Sequence, residues 1–154
     1  MNTGVIASRY AKALLLITQE SGRGEFVFEQ ARALLKTPLS IPAELEPDLS
    51  RLVVLLKRNG RGDYLRLILT DYLHLYCQTT GAKLVRLVTA VPAPELPAKI
   101  RHIIGGKVYM DTEVDPSLEG GFVLTMDDRM LDASVKGQIE RIRRQFIERN
   151  LRIV

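Results

Sequence analysis

Residues 63–92 read DYLRLILTDYLHLYCQTTGAKLVRLVTAVP, and the period of their apolar residues changes once, at Gly81. Before it, Leu65, Ile68, Leu69, Tyr72, Leu73 and Tyr76 return every three to four residues, which predicts a helix running to about Thr79 with Asp63 placed to cap it. That helix is apolar over most of its circumference, so it is either the centre of a bundle or keeps one side for a partner. After Gly81, Leu84 to Ala90 is a run of aliphatic and β-branched residues halted by Pro92 and Pro94, the pattern of a strand. One chain therefore carries a helical half and a mixed half. The fold class read from this switch is α+β, an N-terminal helical bundle over residues 1–80 and a small mixed β/α C-terminal domain over 81–154.

Working upstream, Ile6, Tyr10, Ala13, Leu14 and Ile17 fall on one stripe of a helix from Thr3 to about Gln19, stopped by Ser21-Gly22-Arg23-Gly24. A second helix, Glu25 to Lys36, carries Phe28, Ala31, Leu34 and Leu35. Pro38, Pro42 and Pro47 mark a connection, and Leu49, Leu52, Val53 and Leu56 a third helix before the break at Asn59-Gly60-Arg61-Gly62. Downstream, Glu95 to Ile104 reads as a short helix. Lys107 to Val114 alternates strictly, with Val108, Met110, Thr112 and Val114 on one face and Lys107, Tyr109, Asp111 and Glu113 on the other. Phe122 to Met126 and Met130 to Ala133 form a hairpin about Asp127-Asp128-Arg129, and a last helix aligns Val135, Ile139, Ile142 and Phe146.

Composition narrows the function. The 154 residues are 46% apolar, enough to bury a core, and contain one Cys and two His, too few for a disulfide framework or a structural zinc site. No apolar run approaches the roughly 18 residues of a spanning helix, and Met1-Asn2-Thr3-Gly4 does not open a secretory signal. The net charge of +4 is not spread evenly. From Ser134 onward six basic residues face two acidic ones, while the preceding chain balances at sixteen of each. The basicity belongs to the last helix, and the rest offers no broad surface for phosphates.

Templates for chemistry find no residues to fill them. Neither Gly105-Gly106 nor Gly120-Gly121 has the spacing of a nucleotide loop, and both are read as turns or close backbone approaches. His74 lies one turn from Cys77, but both stand beside Leu73 and Leu75 and are read as packing. Asp111, Glu113 and Asp115 are read as the solvated side of a strand rather than a metal site. No catalytic residue, cofactor or metal ligand is therefore assigned.

Several blocks resemble one family. Ile6-Ala7-Ser8-Arg9-Tyr10-Ala11-Lys12-Ala13-Leu14, Val88-Thr89-Ala90-Val91-Pro92, Gly106-Lys107-Val108, Val114-Asp115-Pro116-Ser117-Leu118-Glu119-Gly120-Gly121-Phe122 and Leu131-Asp132-Ala133-Ser134-Val135-Lys136-Gly137 stand in the order of the delta subunit of bacterial F-type ATP synthase, the oligomycin-sensitivity-conferring protein family. The family usually runs longer, which implies a trimmed bundle here. Its Asn-Arg-Arg turn appears as Asn59-Gly60-Arg61-Gly62, and Glu119 stands where an aliphatic residue is usual.

The resemblance implies a non-catalytic stator part that ties the catalytic head to the peripheral stalk, on the cytoplasmic face of a bacterial plasma membrane and touching that membrane only through the complex. It implies a groove for N-terminal segments of alpha subunits built from Ile6, Arg9, Tyr10, Ala13, Leu14 and Ile17 of the first helix with Leu65, Ile68, Leu69 and Tyr72 of the last bundle helix. The same residues also read as the bundle's own core. It implies that the ends of the b subunits bind the last helix through Ile139, Ile142 and Phe146 and a basic face of Arg141, Arg143 and Arg144. A small basic nucleic-acid-binding adaptor and a small enzyme are the competing readings.

Overall fold

The computed structural model describes residues 3–37 and 44–151. The expected turn at Pro38 and Pro42 lies outside them. The chain divides into two compact units, Met1–Gly81 and Ala82–Val154.

The first unit holds four helices: α1 (Thr3–Ser21), α2 (Gly24–Lys36), α3 (Pro47–Arg58) and α4 (Leu65–Thr80). Helix α4 is the centre, with Leu65, Ile68, Leu69, Tyr72, Leu73, Tyr76 and Cys77 all buried, and α1 and α2 pack on it. The Tyr72 hydroxyl donates to the Gly24 carbonyl at 3.2 Å and lies 3.4 Å from Thr18 Oγ1, while the Tyr76 ring stacks on Phe28 at 4.7 Å. Burial pushes the Tyr72 hydroxyl pKa up to about 12. Pro47 opens α3 at a position where the missing N–H costs nothing. The neighbouring Asp48 is buried and satisfied, accepting from Ser21 Oγ at 2.8 Å with the Arg23 guanidinium 3.6 Å away.

Three sequence expectations are corrected here. Helix α1 turns Ala7, Ala11, Leu14 and Thr18 to the core, so the stripe of Ile6, Tyr10, Ala13 and Ile17 is rotated onto its flank. Small side chains face α4 because they let the two helices approach, a preference that reading by hydrophobic size misses. Asp63 does not cap α4: it sits inside a 3-10 turn, Gly62–Tyr64, and the N-cap position falls to Tyr64, with no side-chain capping bond. His74 is exposed, although Cys77 is buried as expected. The two lie three residues apart, about 60° from a common line, so one can turn outward while the other packs.

The second unit is a four-stranded sheet of order β2-β1-β3-β4, with β1 (Lys83–Thr89), β2 (Val108–Val114), β3 (Phe122–Met126) and β4 (Arg129–Asp132). Strands β1 and β2 run parallel and are joined through α5 (Leu96–Ile104), while β3 pairs antiparallel with β1 and with β4. Val85, Leu87 and Met110 are covered by Ile100 of α5, with Leu96, Ile104, Phe122 and Leu124 around them. The opposite face is mixed along the β1–β2 pair: Leu84, Val88 and the buried Tyr109 share it with Arg86, which meets Glu113 at 2.6 Å. The last helix, α6 (Val135–Leu151), makes its main contacts with the 3-10 turn Pro116–Leu118.

Candidate functional site

Helix α6 is the most unusual surface in the second unit. Val135, Ile139, Ile142 and Phe146 are 40%, 53%, 53% and 63% exposed, and none is buried by the sheet beside it. Their spacings of four, three and four make a continuous seam of the kind that accepts another helix. A partner that half-buries these four side chains stabilises the contact by about 1 kcal/mol for each, several kcal/mol in total.

The root of α6 is built with more care than its exposed length. Ser134 is buried and caps the helix, its Oγ accepting from the Gly137 N–H at 3.0 Å. The same hydroxyl donates to Asp132 Oδ1 at 2.6 Å, and the Ser134 N–H donates to that oxygen at 2.9 Å. These bonds hold the Asp132 carboxyl below the usual carboxylate range. The backbone of 133–135 lies directly on Gly120-Gly121, through Ala133 N–H to Phe122 O at 2.9 Å and Val135 N–H to Gly120 O at 3.0 Å. Gly121 has φ +73°, and a side chain on it would collide with the Ala133 carbonyl. The two glycine-bearing and serine-bearing motifs are one joint: they fix where α6 leaves the sheet.

The basic face expected on α6 is a correction. Arg141 is spent on the joint, donating from Nη2 to the Asp132 carbonyl at 3.0 Å and from Nε to the Gly137 carbonyl at 3.2 Å. At 100° per residue Arg144 lies opposite the apolar seam, and only Arg143 of the three borders it. Lys136 borders the seam on the same side as Arg143. Cations dispersed in this way do not make the continuous stripe that tracks a phosphate backbone.

In the first unit the expected residues separate into two sets. Leu14, Leu65, Ile68, Leu69 and Tyr72 are buried and belong to the core. Ile17, Ala13 and Arg9 are exposed, Ile6 and Tyr10 half-buried, and these five form the flank of α1 that faces outward. The Tyr10 hydroxyl accepts from Asn59 Nδ2 at 3.4 Å and from Arg61 Nη1 at 3.0 Å, and these bonds lower its pKa. Arg61 was missed in the sequence. Its signal was the break at Asn59-Gly60-Arg61-Gly62, which brings a cation to α1 from 51 residues away.

Among the described residues no three His, Cys, Asp or Glu side chains gather as metal ligands, and a hollow of about 310 Å³ beside the C-terminal ends of β1 and β2 is lined mainly by Leu87, Pro92, Pro94, Pro97 and Val114, with Glu113 its one charged group.

Comparison with known proteins gives a consistent result. The family model described as ATP synthase delta (OSCP) subunit matches residues 26–146. A protein named ATP synthase subunit delta from Bacteroides thetaiotaomicron is 32% identical over the full length of both chains, and one from Phocaeicola vulgatus is 33% identical, also end to end. A namesake from Synechococcus sp. (strain CC9605) is 32% identical over 89% of this chain and 92% of its own. The first alignment has 186 positions against 154 residues, so 32 positions of the relative face no residue here. A chain in a cryo-EM structure of the Toxoplasma gondii mitochondrial ATP synthase hexamer shares the fold, with a TM-score of 0.58 over 92% of this chain and 97% of that one at 18% identity.

Proposed function

This chain belongs to the ATP synthase delta (OSCP) subunit family, and from that premise we propose that its two units are the two ends of a tether. Members of the family are non-catalytic stator components of ATP synthase, and this chain has that role. The proposal concerns how it holds on. The α1 flank of Ile6, Arg9, Tyr10, Ala13 and Ile17 receives an N-terminal segment of an alpha subunit of the catalytic head, with Leu14, Leu65, Ile68, Leu69 and Tyr72 as the packed floor that keeps the flank rigid. The α6 seam of Ile139, Ile142 and Phe146, bordered by Arg143, receives the end of a b subunit of the peripheral stalk.

A stator part resists the torque of the rotor, so its contacts must be broad and apolar rather than reactive. The observation that carries the reading is the α6 seam, a row of exposed side chains on a helix whose root is anchored by hydrogen bonds. Rigid root and open seam together suit a lever that is gripped along its length. The bacterial relatives support a complex in a bacterial plasma membrane, met from its cytoplasmic side. Among the described residues no helix is long and apolar enough to cross a membrane, and on this proposal the chain meets the membrane through the complex.

The test is an Ile142→Asp, Phe146→Asp double variant. Both side chains are already more than half exposed, so the isolated protein should unfold within a few degrees of wild type while binding to the b subunits falls at least 100-fold, about 3 kcal/mol. Wild-type stalk binding by a folded double variant would refute the assignment of α6.

A further inference from the structure

The α1 flank ends at a fixed positive charge. Ile6, Ala13 and Ile17 all lie within about 60° of Tyr10 around the helix, so they form one strip with Tyr10 on its edge. Across that edge the Tyr10 oxygen holds the Arg61 guanidinium at 3.0 Å, and the same guanidinium stands 6.0 Å from the centre of the Tyr10 ring. On the other edge of the strip stands Arg9, exposed and about 100° from Tyr10. Among the described residues neither arginine has a carboxylate partner, whereas Arg23, Arg51 and Arg86 all have one. The adjoining end of α3 adds exposed Lys57 and Arg58.

We propose that Arg61 is a specificity-determining residue of this face: held by Tyr10, it receives a carboxylate from an acidic amphipathic helix whose apolar side lies on Ile6, Ala13 and Ile17. Charge selects this occupant. A second copy of the same face would bring Arg9 and Arg61 against themselves, and a wholly apolar helix would leave both cations facing a dry contact. Tyr10 contributes by ordering a side chain that otherwise has many rotamers, so less freedom is lost when the carboxylate arrives. An arginine fork so placed takes both carboxylate oxygens, which a lysine cannot do.

The inference rests on the proposed docking of α1 to the head, and the experiment separates the two. The full chain is titrated against the catalytic head stripped of its delta subunit, at low and high salt, and its melting is followed alone. Arg61→Gln should weaken binding about tenfold at low salt and flatten the salt dependence with little change in Tm, and Arg61→Lys should recover part of the loss. Tyr10→Phe, which frees the guanidinium but keeps the charge, should cost less than Arg61→Gln. Wild-type affinity and salt dependence for Arg61→Gln would overturn the role of Arg61. Equal losses of binding and of Tm in Arg61→Gln and Tyr10→Phe would overturn it too, as a purely structural tie between α1 and the α3–α4 turn. Self-association of the chain that Ile17→Asp abolishes would replace the acidic helix by a second copy. Ile17→Asp tests the underlying face: if it binds as wild type, the docking of α1 falls, and if it alone fails to bind while Arg61→Gln binds normally, only the charge selection is rejected.

Discussion

Gly121→Ala tests whether the α6 joint is a mechanical element. Gly121 occupies φ +73°, and a methyl group there would collide with the Ala133 carbonyl and lie 3.1 Å from the Ser134 Cα. Left-handed backbone costs a residue with a Cβ about 1–2 kcal/mol. Clearing the methyl also requires the two segments to separate, stretching Ala133 N–H to Phe122 O and Val135 N–H to Gly120 O, about 1 kcal/mol each. The total of about 3–4 kcal/mol is a third or more of what holds a unit of this size, about 4–10 kcal/mol. Gly106→Ala is the control, because Gly106 also has a positive φ, +74°, but has nothing within 4 Å of its Cβ position. It should lose only the conformational part, so the variants should differ by about 2 kcal/mol, a roughly thirtyfold difference in opening. Amide hydrogen exchange of the full chain reads this at Ala133 and Val135, and stalk binding should fall with Gly121→Ala although Gly121 lies off the seam. Equal loss of protection in the two variants would refute the reasoning, since backbone strain alone would then explain both.

Two further perturbations act through titration. Tyr72 stays protonated in the folded state up to about pH 12, whereas in the unfolded chain it ionises near pH 10, so stability should fall as pH rises between these values, by on the order of 2–3 kcal/mol. Tyr72→Phe loses about 1 kcal/mol at neutral pH with the Gly24 bond and should lack that alkaline limb. Denaturant midpoints from pH 8 to 11.5, followed by near-ultraviolet circular dichroism, check it, and parallel curves would count against the burial of that hydroxyl. Ser134→Ala should cost about 1 kcal/mol through the lost cap and bring the Asp132 titration up toward its ordinary range. Because the folded carboxyl is depressed, its contribution is present above the ordinary carboxylate pKa and is lost as pH falls through the folded value. Carboxyl chemical shifts followed by NMR would show an unmoved titration if Ser134 were not its cause.

The order of elements was legible because each half of the chain has one dominant period and is punctuated by Gly and Pro, so α4, β1 and the hairpin stand close to where periodicity puts them. Orientation was less legible, for reasons specific to particular side chains. In α1 the large apolar residues other than Leu14 are not the buried ones, because Ala7 and Ala11 let the helix come close to α4 while Ile17 stays 46% exposed. Arg141 and Arg143 look alike in a charge count, but only the fold shows one bound to two carbonyls of the joint and the other beside the seam. Arg61 shows locally only as part of the break at Asn59-Gly60-Arg61-Gly62, because what fixes its side chain is a hydroxyl 51 residues away. The α6 stripe marks the limit most sharply. An apolar row at helical spacing is the same sequence whether it faces its own sheet or another molecule, and what decides between them is that α5 already covers the apolar face of the sheet. With that place taken and the Gly121–Ser134 joint fixing its exit, α6 leaves its row exposed, and that row is the surface the proposed stalk contact would bury.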